Sequence, residues 1–297
     1  MATTLSPPPP PPPPSAPHGD VVIPINFYED PVDGSTPFNY VAAPPRGVPQ
    51  RNFRLVPHDT LLTDVRGRES EFSLEHDAFQ ISVDLPPTPE SVFENDDTIR
   101  ERYYPEVEQL LLKSVPGATR VAIFDHTLRR AGTIGGPDAG NPIARAHIDH
   151  TGWAAEKRLR QRVSSDAEAE ELLKGRWRIV NVWRPLNKKP LEDVPLCFAS
   201  ASTKTLQMGE LREVESRFPD GYLGQTYIVR HNPAQKWYYL SGMTGNDRIV
   251  LGIYDSNCTK TKLTVTGGAP HTAFVDPRAR PSAETRESIE IRALVFG

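Results

Sequence analysis

Ala146-His147-Ile148-Asp149-His150-Thr151 is the stretch that decides the reading of this chain. In an extended segment successive side chains alternate between faces, so His147 and Asp149 point one way and His150 the other. An imidazole nitrogen and a carboxylate oxygen held side by side supply two of the three ligands of the 2-His-1-carboxylate triad that binds non-haem Fe(II). The third must come from elsewhere. The candidates are His150, His231 in Val229-Arg230-His231-Asn232-Pro233, and His271 in Gly267-Gly268-Ala269-Pro270-His271-Thr272-Ala273-Phe274. His150 faces the wrong way and reads as a core or supporting residue. His231 stands at a strand end leading into a turn. His271 precedes the last predicted strand and is the favoured ligand.

Outward from this stretch the pattern is rich in short strands. After it, Trp153 to Leu173 reads as helix, broken near Ser164-Ser165-Asp166, where Ser165 or Asp166 is a natural N-cap. Strands are expected at Trp177–Trp183, Leu196–Phe198, Gln225–Val229, Lys236–Leu240, Arg248–Tyr254 and Arg286–Phe296, with Gly, Pro and Asn between most of them. Before it, Val21–Tyr28 and Arg120–Leu128 read as strands, and Glu71–Val83 alternates weakly. Glu101–Val115 carries Tyr104, Val107, Leu110 and Leu111 at helical spacing, and Thr36–Arg54 reads as an ordered loop. Many short strands imply a sandwich or barrel, here a β-rich α+β fold with flanking helices.

Composition narrows the partners. The chain has 297 residues, 37% hydrophobic and 24% charged, with a net charge of -4. A pI near 6.1 without a concentrated basic patch argues against a nucleic-acid partner or an anionic membrane surface. No run of 18 apolar residues is present, so no membrane span is expected. Cys197 and Cys258 have no nearby cysteine partner, which points away from a disulfide framework and towards a cytoplasmic protein. Pro7 to Pro14 form an unbroken proline run. Residues 1–18 are therefore read as a disordered proline-rich tail, able at most to engage an SH3- or WW-type partner, and 19–297 as a single domain with helical N-terminal elaborations.

A second constellation follows His271. Arg286-Glu287-Ser288 opens the last predicted strand. A guanidinium matches a carboxylate with two parallel hydrogen bonds, and a hydroxyl two residues along faces the same side. Fe(II)/2-oxoglutarate oxygenases place such a basic residue one strand after the late histidine, to hold the distal carboxylate of 2-oxoglutarate. Arg292 lies on the same side further along and is the rival anchor. Asn181 and Arg184, in Asn181-Val182-Trp183-Arg184-Pro185, are read either as contacts of the cosubstrate or the iron's surroundings, or as strand-end hydrogen bonding ahead of Pro185. Trp183 and Trp237 read as core, and His126 as a buried, hydrogen-bonded histidine.

The segments Phe124-Asp125-His126-Thr127, Ala146-His147-Ile148-Asp149-His150-Thr151, Asn181-Val182-Trp183-Arg184-Pro185, Trp237-Tyr238-Tyr239, Tyr254-Asp255-Ser256, Pro270-His271-Thr272-Ala273-Phe274 and Arg286-Glu287-Ser288-Ile289-Glu290-Ile291-Arg292 resemble the fungal hydroxylase/desaturase family, related to the bacterial component of cephamycin methoxylation. The resemblance runs from about residue 20 to the C-terminus. It implies a double-stranded β-helix (jelly-roll, cupin-like) core, Fe(II), 2-oxoglutarate and O2 as cofactor and cosubstrates, and help from ascorbate. It implies a small-molecule intermediate of secondary metabolism as substrate, hydroxylated, desaturated or cyclised while 2-oxoglutarate is converted to succinate. Two other readings are a non-catalytic auxiliary subunit that keeps the barrel, and an Fe(II) oxygenase that uses no 2-oxoglutarate. One departure from the family is Ala199-Ser200-Ala201-Ser202-Thr203, where an acidic residue is expected.

Overall fold

The computed structural model describes residues 16–129 and 143–297; the proline run lies outside them. The described strands in chain order are β1 (Val21–Glu29), β2 (Phe38–Tyr40), β3 (Arg54–Asp64), β4 (Phe79–Ser82), β5 (Arg120–Arg129), β6 (His147–Ile148) and β7 (Trp177–Pro185). They continue as β8 (Leu196–Ala199), β9 (Leu211–Arg217), β10 (Leu223–Val229), β11 (Trp237–Tyr239), β12 (Arg248–Asp255), β13 (His271–Ala273) and β14 (Ser288–Phe296). They build a nine-stranded sheet in the order β1-β3-β11-β8-β13-β6-β10-β9-β2 and a five-stranded sheet in the order β4-β12-β7-β14-β5. This is the double-stranded β-helix.

Alternation explains which faces meet. Ile23, Ile25 and Phe27 on β1 are buried, while Val22 just before them is 57% exposed and Pro24 between them is also exposed. These three pack with Phe198 and Trp237 of the large sheet, and with Ile179, Trp183, Leu251 and Leu294 of the small sheet, in one apolar cluster. The small sheet buries its other face too. Val180, Val182, Ile289, Ile291 and Val295 pack against Phe93, Tyr103, Val107 and Leu111 around the helix Tyr104–Ser114. All nine residues of β7 are buried, as a strand covered on both sides requires. Burying each such aliphatic side chain contributes about 1.5–3 kcal/mol, so the helix locks the outer face while the inner face is free to carry polar groups.

The helical stretch after the His-x-Asp run divides as expected, into Gly152–Arg160 and Asp166–Lys174, the latter capped by Ser165, whose hydroxyl accepts from the Glu168 amide. Three expectations change. Glu71–Val83 is not one strand: Ser73 caps a single helical turn, Leu74–Asp77, before β4. The loop Thr36–Arg54 contains β2, which pairs parallel with β9. The last strand starts at Ser288, leaving Arg286 in the approach with its amide donating to Asp193 Oδ2 at 3.1 Å. At the N-terminal boundary, Ala16 is buried and His18 Nδ1 is 2.7 Å from Ser241 Oγ, so packed structure reaches back past residue 19.

Candidate active site

β6 lies between β13 and β10, and His147 pairs directly with His271 across the β6–β13 rung. Cross-strand partners on one face hold their side chains side by side, and the two rings stand 4.4 Å apart at their centroids. Gly267 and Gly268 permit this. Gly267 has φ +73, and a Cβ there would sit 2.3 Å from Asp255 Cβ; one at Gly268 would sit 2.4 Å from the Ile253 carbonyl oxygen. Only glycine allows the chain to pass so close to β12 on its way to His271.

Both imidazoles have a fixed tautomer. His147 Nδ1 donates to the Arg145 carbonyl at 2.9 Å, and His271 Nδ1 to the Ala269 carbonyl at 3.0 Å. A carbonyl can only accept, so each Nδ1 carries the proton and each Nε2 presents a lone pair. Asp149, just past β6, places Oδ1 3.3 Å from His147 Nε2 and 3.7 Å from His271 Nε2. The three donor atoms lie within 4.8 Å of one another. Burial and the neighbouring His147 push the His271 pKa down, which keeps it neutral. Burial alone would raise the Asp149 carboxyl, but its neighbours His147, His271 and Arg292 hold it well below the usual range. Lone pairs and a carboxylate facing one another repel unless a cation sits among them. Two imidazoles, one carboxylate and an open side fit Fe(II).

The groups behind Asp149 come from β7 and β14. Asn181 Nδ2 donates to Asp149 Oδ2 and to Glu290 Oε1, both at 2.8 Å. Arg292 donates to Glu290 Oε2 at 2.8 Å, Asp125 Oδ1 at 3.1 Å and Thr127 Oγ1 at 2.9 Å, and its Nε is 3.9 Å from Asp149 Oδ2. It is committed to carboxylates already present.

Arg286 is arranged differently. It is buried, donates to the Val194 carbonyl at 2.9 Å and lies 5.5 Å over the Trp183 ring, with no ion pair among the described residues. Burial and the nearby Arg129 push its pKa down to about 10. Arg286 and Ser288 line the same cavity as His147, Asp149 and His271, together with Leu196, Thr272 and Ala273.

One cofactor-binding expectation is corrected. Arg184 is on the far face of β7: it stacks over Phe93 at 4.9 Å and Tyr103 at 5.5 Å, and donates to Thr88 Oγ1 at 2.9 Å. Being three residues from Asn181 on a strand, it cannot share the cavity face, so it touches neither the triad nor the cavity that Arg286 and Ser288 line. Trp183 is cavity wall as well as core. His231 stacks on His58 at 4.1 Å, away from the triad. His150 lies outside the ligand cluster and lines the open side of the site beside Asp149. His126 bonds the Tyr104 hydroxyl at 2.9 Å. The sequence alone gives Glu290 and Thr127 no role of their own, although Glu290 shares the period-two face of Ser288 and Arg292. In the stretch that departs from the family, Ser200 Oγ donates to Asp77 Oδ1 at 2.8 Å.

Comparison with known proteins agrees with this geometry. A family model described as "YDMC: Oxidoreductase/YMDC permease-like domain" matches residues 25–296. Among the described residues no helix is long and apolar enough to cross a membrane. The chain is 36% identical to the hydroxylase/desaturase poxK of Penicillium oxalicum, over 94% of this chain and 92% of that protein. It is 31% identical to the Fe(II)/2-oxoglutarate-dependent dioxygenase nvfI of Aspergillus novofumigatus, over 87% and 90%. A solved structure of the iron and alpha-ketoglutarate-dependent endoperoxidase NvfI superposes with a TM-score of 0.80 at 27% identity, covering 94% of this chain and 98% of that one. A jelly-roll core with a His-Asp-His cluster on facing strands, matched over nearly its whole length by such relatives, belongs to the fungal hydroxylase/desaturase family of Fe(II)/2-oxoglutarate-dependent dioxygenases.

Proposed function

We propose that His147, Asp149 and His271 hold the iron, that Arg286 and Ser288 hold the distal carboxylate of 2-oxoglutarate, and that the enzyme oxidises a small-molecule natural-product intermediate by hydroxylation, desaturation or ring formation. The observation that carries this reading is the convergence of two Nε2 lone pairs and the Asp149 carboxylate. Bound Fe(II), with 2-oxoglutarate and O2, supplies a two-electron oxidation of the substrate coupled to conversion of 2-oxoglutarate to succinate and CO2.

The protein's own groups bind, orient and shield. The carbonyls of Arg145 and Ala269 fix both imidazoles. Asn181 turns Asp149 towards them and is itself steadied by Glu290. Arg286, whose charge is buried without an acid partner among the described residues, gains a bidentate counter-ion when the cosubstrate carboxylate arrives. Trp183, Leu196 and Ala273 keep water off that contact. Two buried free cysteines, Cys197 and Cys258, support a cytoplasmic setting for the domain, and the proline run is a candidate ligand for an SH3- or WW-type partner.

The test is succinate release by the full chain given Fe(II), ascorbate and 2-oxoglutarate, with iron and 2-oxoglutarate binding measured beside it. Stoichiometric binding of both with succinate formation is expected. Binding of neither would overturn the reading in favour of an auxiliary subunit, and iron binding without 2-oxoglutarate would leave Arg286 and Ser288 structural.

A further inference from the structure

The open side of the triad leads into a second cavity. His150, Phe124, Ala154, Arg158, Phe218, Tyr222 and Gln225 line it together with Asp149 and Arg292. Its charges are unevenly settled. Asp149 is held by Asn181, and Arg292 by Asp125 and Glu290. Arg158, on the helix Gly152–Arg160, pairs with no acid among the described residues. Its Nε is buried without a hydrogen-bond partner, and its guanidinium lies 5.5 Å from the Phe124 ring centre. Arg162, one turn on, lies 5.7 Å over the same ring, so like charges crowd one face. The helix does not lack acids for its other arginine: Arg160 pairs with Glu156 and Glu170, both at 2.8 Å. His150 adds a buried Nδ1 with no partner.

The rim of this cavity is apolar. Phe218 in its wall is 37% exposed, and Leu223 and Trp153, next in the chain to the wall residues Tyr222 and Ala154, are 45% and 55% exposed. Phe218 packs on Tyr222 at 5.4 Å, and Lys157 Nζ lies 4.8 Å from the Trp153 ring and 4.2 Å from Tyr222. Lone guanidinium inside, aromatic lip outside: that pairing selects a ligand with a charged end and an apolar body.

We infer that Arg158 anchors an acidic group of the substrate, which makes the substrate class an apolar carboxylic acid whose body lies on Phe124, Phe218 and Tyr222. The inference rests on the open side of the proposed iron site being the substrate side. The carboxylate takes the free Nε and an Nη of Arg158, and the imidazole of His150 is placed for one further hydrogen bond.

The experiment is equilibrium dialysis of the full chain, loaded with Fe(II) and 2-oxoglutarate under nitrogen, against 4-phenylbutanoate and dodecanoate and against their primary amides. Retained 2-oxoglutarate is measured in the same cells. Each acid is expected to bind at least about tenfold more tightly than its amide, as a charged hydrogen bond requires. Arg158→Met should erase that preference with 2-oxoglutarate retained, and Arg158→Lys should restore part of it. No binding of either acid, no preference over the amides, or a preference that survives Arg158→Met would overturn the inference. Loss of 2-oxoglutarate from the wild-type protein would instead strike the role given to Arg286, leaving the Arg158→Met comparison readable.

Discussion

Arg286 and Arg292 stand at two ends of one cavity edge, both largely buried, and their surroundings are opposite. Arg292 is surrounded by acids: burial would lower its pKa, but Glu290, Asp149 and Asp125 raise it further than burial lowers it. Arg286 has burial and Arg129 against it, and its pKa falls to about 10. The first is a scaffold strut whose counter-ions are built in. In the proposed function the second is a receptor whose counter-ion the cosubstrate supplies. Equal residue type, burial and strand face therefore say little about role; the number of carboxylates already present says more.

Several substitutions would break or sharpen this contrast. The largest effect belongs to the carboxylate that Arg292 faces: Asp149→Ala should abolish succinate formation and bound iron, read by metal analysis and by turnover. A variant that keeps both would remove the triad. Arg292→Met leaves Glu290 and Asp125 facing each other unneutralised, and should cost about 3 kcal/mol of stability in denaturant unfolding, near the low end for a broken buried pair because Asp125 is partly exposed. Arg286→Met should leave stability nearly unchanged and raise the KM for 2-oxoglutarate roughly 10- to 100-fold, the loss of one charged bidentate contact. If Arg292→Met moves that KM more than Arg286→Met does, the two roles are reversed. Asn181→Ala should weaken iron binding about tenfold by freeing Asp149. Ser288→Ala should raise the 2-oxoglutarate KM only a few-fold, as one neutral hydrogen bond is worth about 1 kcal/mol.

Much of the site was legible because strands keep strict alternation. His147 with Asp149, and Arg286, Ser288 and Arg292 along one edge, follow from period two. The same rule places Glu290 on the cavity face and Arg184 off it, since Arg184 and Asn181 are three apart; the cluster of polar residues before Pro185 obscured that parity. The long strand β3 was illegible for a different reason. It carries Pro57 and mixed exposure, so its sequence lacks the clean alternation that marks β1 beside it. Nothing local to Asn181 or Arg292 announced that both serve Asp149, because those contacts arise only when β14 lies against β7 in register, Arg292 opposite Asn181.

Register also governs the proposed iron ligands. His147 and His271 meet across a single rung of a two-residue strand. One residue inserted between Pro270 and His271 would rotate the imidazole to the opposite side of the sheet while β8 and the apolar cluster could still close around it. Such an insertion should yield a folded, cooperatively melting protein with no metal. The barrel should thus tolerate small changes of chain length that the chemistry does not, with the tolerance ending within one peptide unit of His271.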